Sequence, residues 1–217
     1  KDPLDKYVSW RPLIDLLVLD KADFNVVLDT TVNVNQDIQC KYPLVNLYEY
    51  MESNTFSLNP KNTPEKKYKY VDISSVGNGN GEIKTSIEFL GKDAPSRARR
   101  LAKSDSLIIS TVRPNLKSFA YIAHEAKDTL YSTGFAIIKS KDSNVLLTKF
   151  IYYCFMGWDG ILGQLIRMMP KGQYPSVNAS DIAGLQIPIP PKNVQEKIIR
   201  ECAILEDEYK NGKLRLD

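Results

Sequence analysis

One stretch of the chain, LIISTVRPNLKSFAYI at residues 107–122, constrains the fold more than any other. It opens on Leu107, Ile108 and Ile109, an apolar and β-favouring run that reads as a buried strand. Within a few residues it reaches Arg113, Pro114, Asn115 and Lys117, then turns apolar again at Phe119, Ala120, Tyr121 and Ile122. A proline in mid-strand removes a ladder donor and belongs at an edge or a bulge. Residues 105–112 and 118–123 are therefore two strand candidates, and Arg113-Pro114-Asn115 interrupts them as a rigid tip pointing out of the sheet.

The tip closes the most basic part of the chain. Residues 92–117 hold seven basic and two acidic side chains, although the 217 residues together carry a formal net charge of only +3. Within KDAPSRARRLAKSD (92–105), Arg97, Arg99, Arg100 and Lys103 lie close together, and Pro95 keeps the approach out of regular helix. The planar fork of arginine donates two parallel hydrogen bonds, which suits phosphates and the O6/N7 edge of guanine; asparagine does the same for adenine. Arg113 and Asn115 are thus candidate base readers, with Lys117 and the cluster at 97–103 as phosphate contacts. Plainer readings stand beside these: a solvated basic turn, and a structural turn whose side chains bond neighbouring backbone. A third candidate is PKGQYPSVN (170–178), where Lys171, Gln173 and Tyr174 sit in a loop bounded by Pro170 and Pro175; loop packing is its plainer reading.

The rest of the chain alternates strand and helix signals. A short helix is expected at 12–19 and a linker-like segment at 29–37. Leu44, Leu47, Tyr48 and Met51 have the spacing of a short amphipathic helix. KKYKYVDISSV alternates into a strand, the GNGNG at 77–81 forms a loop tolerant of positive φ, EIKTSIEFL returns as a strand, and residues 131–138 form another. Leu147, Phe150, Ile151, Cys154, Phe155 and Trp158 define an amphipathic helix over 144–158 capped by Ser143 or Asn144. Residues 171–182 read as a polar loop, and LQIPIPP as an extended segment. After it, Asn193 and Glu196 approximate a capping box, and Ile198, Cys202, Leu205 and Tyr209 follow the a/d rhythm of a coiled coil. Barely two heptads are too few to stand alone, so that helix needs a partner helix or the domain's own surface.

Composition narrows the function classes. No apolar run reaches the length of a bilayer span. Cys40, Cys154 and Cys202 are widely separated and His124 is the sole histidine, which argues against a zinc site or a disulfide framework and for a reducing, cytoplasmic setting. The chain opens on Lys1 without a secretory leader, the expectation for a piece of a longer protein. One enzymatic pattern exists: Asp72 with Glu82-Ile83-Lys84 matches the loose D…ExK spacing of metal-dependent nucleases. A non-DNA-binding protein–protein scaffold around the terminal heptads is the other alternative.

In order, YKYVDISSVGNGNGEI, APSRARRLAKSDSLIISTVRPNLKSFAYI, YSTGFAII and YPSVNASDIAGLQIPIPPKNVQEKII resemble the specificity subunit of type I restriction–modification systems. The likeness spans about residues 43 to 210. It implies an α+β fold: a β-rich target recognition domain with packed helices at 43–190, then the start of a coiled-coil spacer helix at 191–217, with residues 1–42 as an extension. The function it implies is sequence-specific reading of one half of a bipartite double-stranded DNA target, without catalysis, metal or cofactor in this chain. A DNA methyltransferase subunit or fused domain would use S-adenosylmethionine, a restriction subunit would cleave, and self-association through the terminal helix is a further expectation. Thr133-Gly134-Phe135 and residues 178–181 also resemble family signatures, and are read as holding the fold.

Overall fold

In the computed structural model the chain divides into two units, residues 1–39 and 40–217. The described residues are 40–53, 56–169 and 175–213, all in the second unit. The expected helix at 12–19, the linker at 29–37 and the site candidates Lys171, Gln173 and Tyr174 lie outside them.

The described elements run β1 (Leu44–Asn46), α1 (Leu47–Tyr50), β2 (Met51–Ser53), β3 (Lys67–Val71), β4 (Ile87–Leu90), β5 (Ala98–Arg100), β6 (Ser106–Ser110), β7 (Phe119–Ile122), β8 (Thr129–Ser132), β9 (Phe135–Ser140), α2 (Thr148–Gly157), α3 (Asp159–Met168), α4 (Ala179–Ala183), β10 (Gln186–Pro188) and α5 (Lys192–Lys213). An antiparallel sheet has the order β2-β9-β6-β7. A mixed sheet has the order β4-β3-β8-β5, in which β3 and β8 run parallel. β1 and β10 pair by themselves.

The continuous apolar run in β6 follows from its place. All five of its residues are buried, because β9 and β7 flank it and both of its faces are covered. Leu107 and Ile109 join Phe119, Ala136 and Ile138 in the cluster that packs on Phe150, Ile151 and Phe155 of α2. Ile108 turns the other way, into a second cluster with Ile137, Phe135, Val71 and Tyr131, which links the two sheets. A strand buried on both faces has no polar alternation to show. Its three large side chains are each worth roughly 1.5–3 kcal/mol of burial.

Several local expectations are corrected by distant pairing. The segment around 44–51 is one helical turn between two short strands, because β1 finds β10 and β2 finds β9. Residues 131–138 are not one strand: the chain leaves the mixed sheet after Ser132 and enters the antiparallel sheet at Phe135. At this crossing Gly134 lies against Ile73, whose Cδ1 would stand 2.7 Å from a Cβ there. In 82–90 only Ile87–Leu90 is strand. α2 begins at Thr148 rather than Asn144, and no local side chain caps it. Its cap comes from Gln195 at the start of α5, whose Oε1 accepts the Leu147 N–H at 2.9 Å. α3 and α4 were not anticipated. Ile161 and Leu165, four apart and fully buried, anchor α3. A reciprocal pair caps α4: Asp181 N–H donates to Asn178 Oδ1 (2.9 Å) and Asn178 N–H to Asp181 Oδ2 (2.8 Å). That gives residues 178–181 the fold-holding geometry their motif implied.

Candidate nucleic-acid interface

β6 ends at Ser110, and the chain then forms the expected tip. Ser110 Oγ donates to the Val112 carbonyl at 2.7 Å, turning the chain out of the sheet. Arg113 is left-handed (φ 48), Pro114–Leu116 make one 3-10 turn, and Lys117 is left-handed again (φ 54) before β7 begins. Left-handed backbone costs an L residue about 1–2 kcal/mol, so outside contacts must hold the turn. Pro114 is buried beneath it, while Arg113 and Asn115 are exposed. The buried proline, four residues past the end of β6 at Ser110, therefore anchors a tip that presents the two candidate readers to solvent.

The basic segment lies on β5, the edge of the mixed sheet. Arg97 precedes the strand and is exposed. Arg99 and Arg100 are half-buried. Residues 56–58 run beside them: Leu58 N–H donates to the Arg99 carbonyl (2.8 Å), Leu101 N–H to the Phe56 carbonyl (3.1 Å), and Ser57 bridges Arg100. Arg99 Nη1 donates to Asn59 Oδ1, and Lys103 Nζ stands 4.0 Å from the Phe56 ring centroid. Burial lowers the pKa of the Arg100 guanidinium. The cluster at 97–103 is thus graded, with Arg97 and Lys103 exposed and Arg99 and Arg100 partly built into the fold.

The two candidate segments meet at the crossing between the sheets. Thr133 N–H donates to the Arg97 carbonyl at 2.9 Å. On the other side of that dipeptide, the Gly134 carbonyl accepts both the N–H and the Oγ1 of Thr111, each at 2.8 Å. Arg97, Thr133, Gly134, Thr111 and Arg113 therefore form one continuous band. Beside it, the Pro175 carbonyl accepts Arg113 N–H (2.8 Å), Ser176 bridges Val112, and Val177 N–H donates to the Thr111 carbonyl (2.9 Å). The described flank of the third candidate loop thus runs along the tip. Sequence reasoning missed Thr111 and residues 56–59; only the family likeness of Thr133-Gly134 hinted at the junction.

Lys117, expected as a phosphate contact, has a partner within the chain. It is half-buried, and its Nζ donates to the Met156 carbonyl at the end of α2 (2.8 Å). Asp72, the first carboxylate of the nuclease pattern, accepts the Tyr70 hydroxyl at 3.1 Å and donates its own N–H to Ser75 Oγ at 3.3 Å. Among the described residues no group of three or more His, Cys, Asp or Glu side chains could hold a metal ion.

α5 packs its first half on the domain and is more exposed in its second half, where Glu206 is a polar tie to α2. Ile198, Ile199 and Cys202 pack against the core cluster beside α2. Glu206 accepts the hydroxyls of Tyr152 (3.3 Å) and Tyr153 (3.2 Å), whose ionisation is pushed up by burial and then by that carboxylate. Those tyrosines are buried interface aromatics. Of the a/d positions, Leu205 and Tyr209 are 64% and 63% exposed. Ile204 beside them is 57% exposed.

The family described as Type I restriction modification DNA specificity domain matches residues 40–214. The Type I restriction enzyme HindI specificity subunit of Haemophilus influenzae is 21% identical over 155 residues, covering 71% of this chain and 30% of its own length. The HsdS subunit from Thermoanaerobacter tengcongensis superposes with a TM-score of 0.68 at 30% identity, covering 81% of this chain and 45% of that one. A structure from work on the assembly and conformational transition of a type I R-M system gives 0.69 at 29% identity, covering 82% and 46%. The chain spans less than half the length of each of these relatives. With the family matched from Cys40 into the final helix, the chain belongs to the type I restriction–modification DNA specificity domains.

Proposed function

We propose that this chain reads one half of a bipartite double-stranded DNA target, as the non-catalytic specificity component of a restriction–modification complex. The hydrogen-bonded run from the Arg97 carbonyl through Thr133, Gly134 and Thr111 to the tip supports this reading, because it ties the backbones of the two candidate segments together and both carry an exposed arginine. Arg97 and Lys103, with Arg99 and Arg100 behind them, set register on the phosphates; Arg113 and Asn115 reach base edges. Lys171, Gln173 and Tyr174 are further candidates, since residues 175–177 run along the tip.

The partners on this reading are a methyltransferase, which brings S-adenosylmethionine, and a restriction subunit, in the cytoplasm. The uncovered Ile204, Leu205 and Tyr209 give α5 an apolar edge for a partner helix, including one from a second copy. No described helix is long and apolar enough to cross a membrane.

The test is selection of bound duplexes from a randomised pool at physiological salt, with the methyltransferase partner present. A reproducible short motif is expected. Arg113→Ala or Asn115→Ala then relaxes one position at a cost of about 1–3 kcal/mol, whereas Arg97→Ala weakens all duplexes alike and lowers the salt slope by about one. Binding without any motif would refute sequence reading.

A further inference from the structure

The hairpin tip is held from behind by the protein's own groups, and Lys117 stands at the centre of that hold. Its Nζ reaches the Met156 carbonyl, 2.8 Å away, in the last turn of α2. Carbonyls there have no intrahelical partner and carry the negative end of the helix dipole. The Lys117 carbonyl accepts Gly79 N–H at 3.1 Å, and the next residue's hydroxyl, Ser118 Oγ, donates to Asn78 Oδ1 at 2.8 Å. The GNGNG loop is thus seated on the base of the tip, with Gly79 itself at φ +71. On the far flank, the Pro175 carbonyl takes Arg113 N–H. Two left-handed residues, Arg113 and Lys117, bracket the turn, and such backbone persists only where its surroundings over-determine it.

We infer that Lys117 is a positioning residue for DNA reading and not a phosphate contact: with the Asn78-Gly79 loop it fixes the angle at which Arg113 and Asn115 meet a base pair. The inference rests on the proposed function for its DNA readout. Bidentate base contacts need their groups held within about 0.5 Å, so loosening the tip erodes discrimination. A phosphate contact, by contrast, releases about one counterion and leaves discrimination alone.

The two roles separate in Lys117→Met. Hydrogen exchange of the Arg113, Leu116 and Lys117 amides is measured in the free chain. Affinity for the selected duplex and for an unrelated one is then followed across a salt series. Exchange at the tip is expected to rise about tenfold with β9 unchanged. The affinity ratio falls about tenfold, and the salt slope stays that of the unaltered chain. Asn78→Ala, which removes no charge, gives the same pattern and decides the matter if Lys117→Met does not fold. A salt slope smaller by about one with the ratio kept, or unchanged tip exchange in both variants, would overturn the inference. If the unaltered chain selects no duplex, the proposed function fails, and exchange alone decides whether the clamp exists.

Discussion

Replacing Gln195 by alanine tests how α5 is joined to the domain. Gln195 is fully buried, and its amide makes three hydrogen bonds: Oε1 accepts Leu147 N–H (2.9 Å), while Nε2 donates to the carbonyls of Val145 (2.8 Å) and Pro190 (2.9 Å). It therefore caps α2 from another helix and ties down the turn before α5. Each bond contributes roughly 1 kcal/mol net, and each buried group left without a partner costs about 1–3 kcal/mol. Gln195→Ala should destabilise the domain by about 3 kcal/mol. With a urea slope of about 2 kcal/mol per molar, the unfolding midpoint falls by about 1.5 M. Gln195→Glu is a sharper probe. At neutral pH its carboxylate still accepts from Leu147 but turns an acceptor toward two carbonyls, so the loss is at least as large. Facing those carbonyls raises its pKa in the folded state, and the missing stability returns as pH falls and protonation restores one donor. Urea titrations at pH 7 and pH 5 follow both variants. A loss below about 1 kcal/mol for Gln195→Ala would refute the claim that this amide caps α2.

Other consequences are open to measurement. Gly79 and Gly81 both have positive φ, but only at Gly81 would a Cβ collide, lying 1.9 Å from Tyr152 Oη. Gly79→Ala should cost about 1 kcal/mol and Gly81→Ala at least twice that in chemical denaturation; equal costs would remove the packing argument. Burial pushes the Cys154 thiol up to about 12 from its ordinary 9.0. A raised folded pKa means its contribution is complete below 9.0 and is lost as pH rises toward about 12, so stability measured across that range should fall less steeply in Cys154→Ala than in the unaltered chain. Paired substitutions Leu205→Glu and Tyr209→Glu, at positions about two-thirds exposed, should shift the urea midpoint little yet abolish any self-association seen by analytical ultracentrifugation. Unchanged association would place the contact elsewhere.

Legible in the residues alone were the buried strand at β6, the proline-anchored tip after it, the concentration of positive charge just before that tip, the long terminal helix and, through ordered motifs, the family. These are legible because each is written in neighbouring residues: a run of Leu and Ile, a missing amide donor, a cluster of arginines, an i, i+3, i+4 rhythm. Tertiary structure alone decided what those elements meet. Nothing near Thr133 says that the chain changes sheets there, because the change is set by distant strands: β8 pairs with β3 and β5, and β9 with β2 and β6. Nothing near Asn144 says that α2 waits until Thr148 for a cap carried by Gln195. Lys117 looks like a free surface cation until Met156 of α2 lies beside it. Local pattern reports how much of a residue is buried, and which partner buries it is settled only when distant segments close on one another.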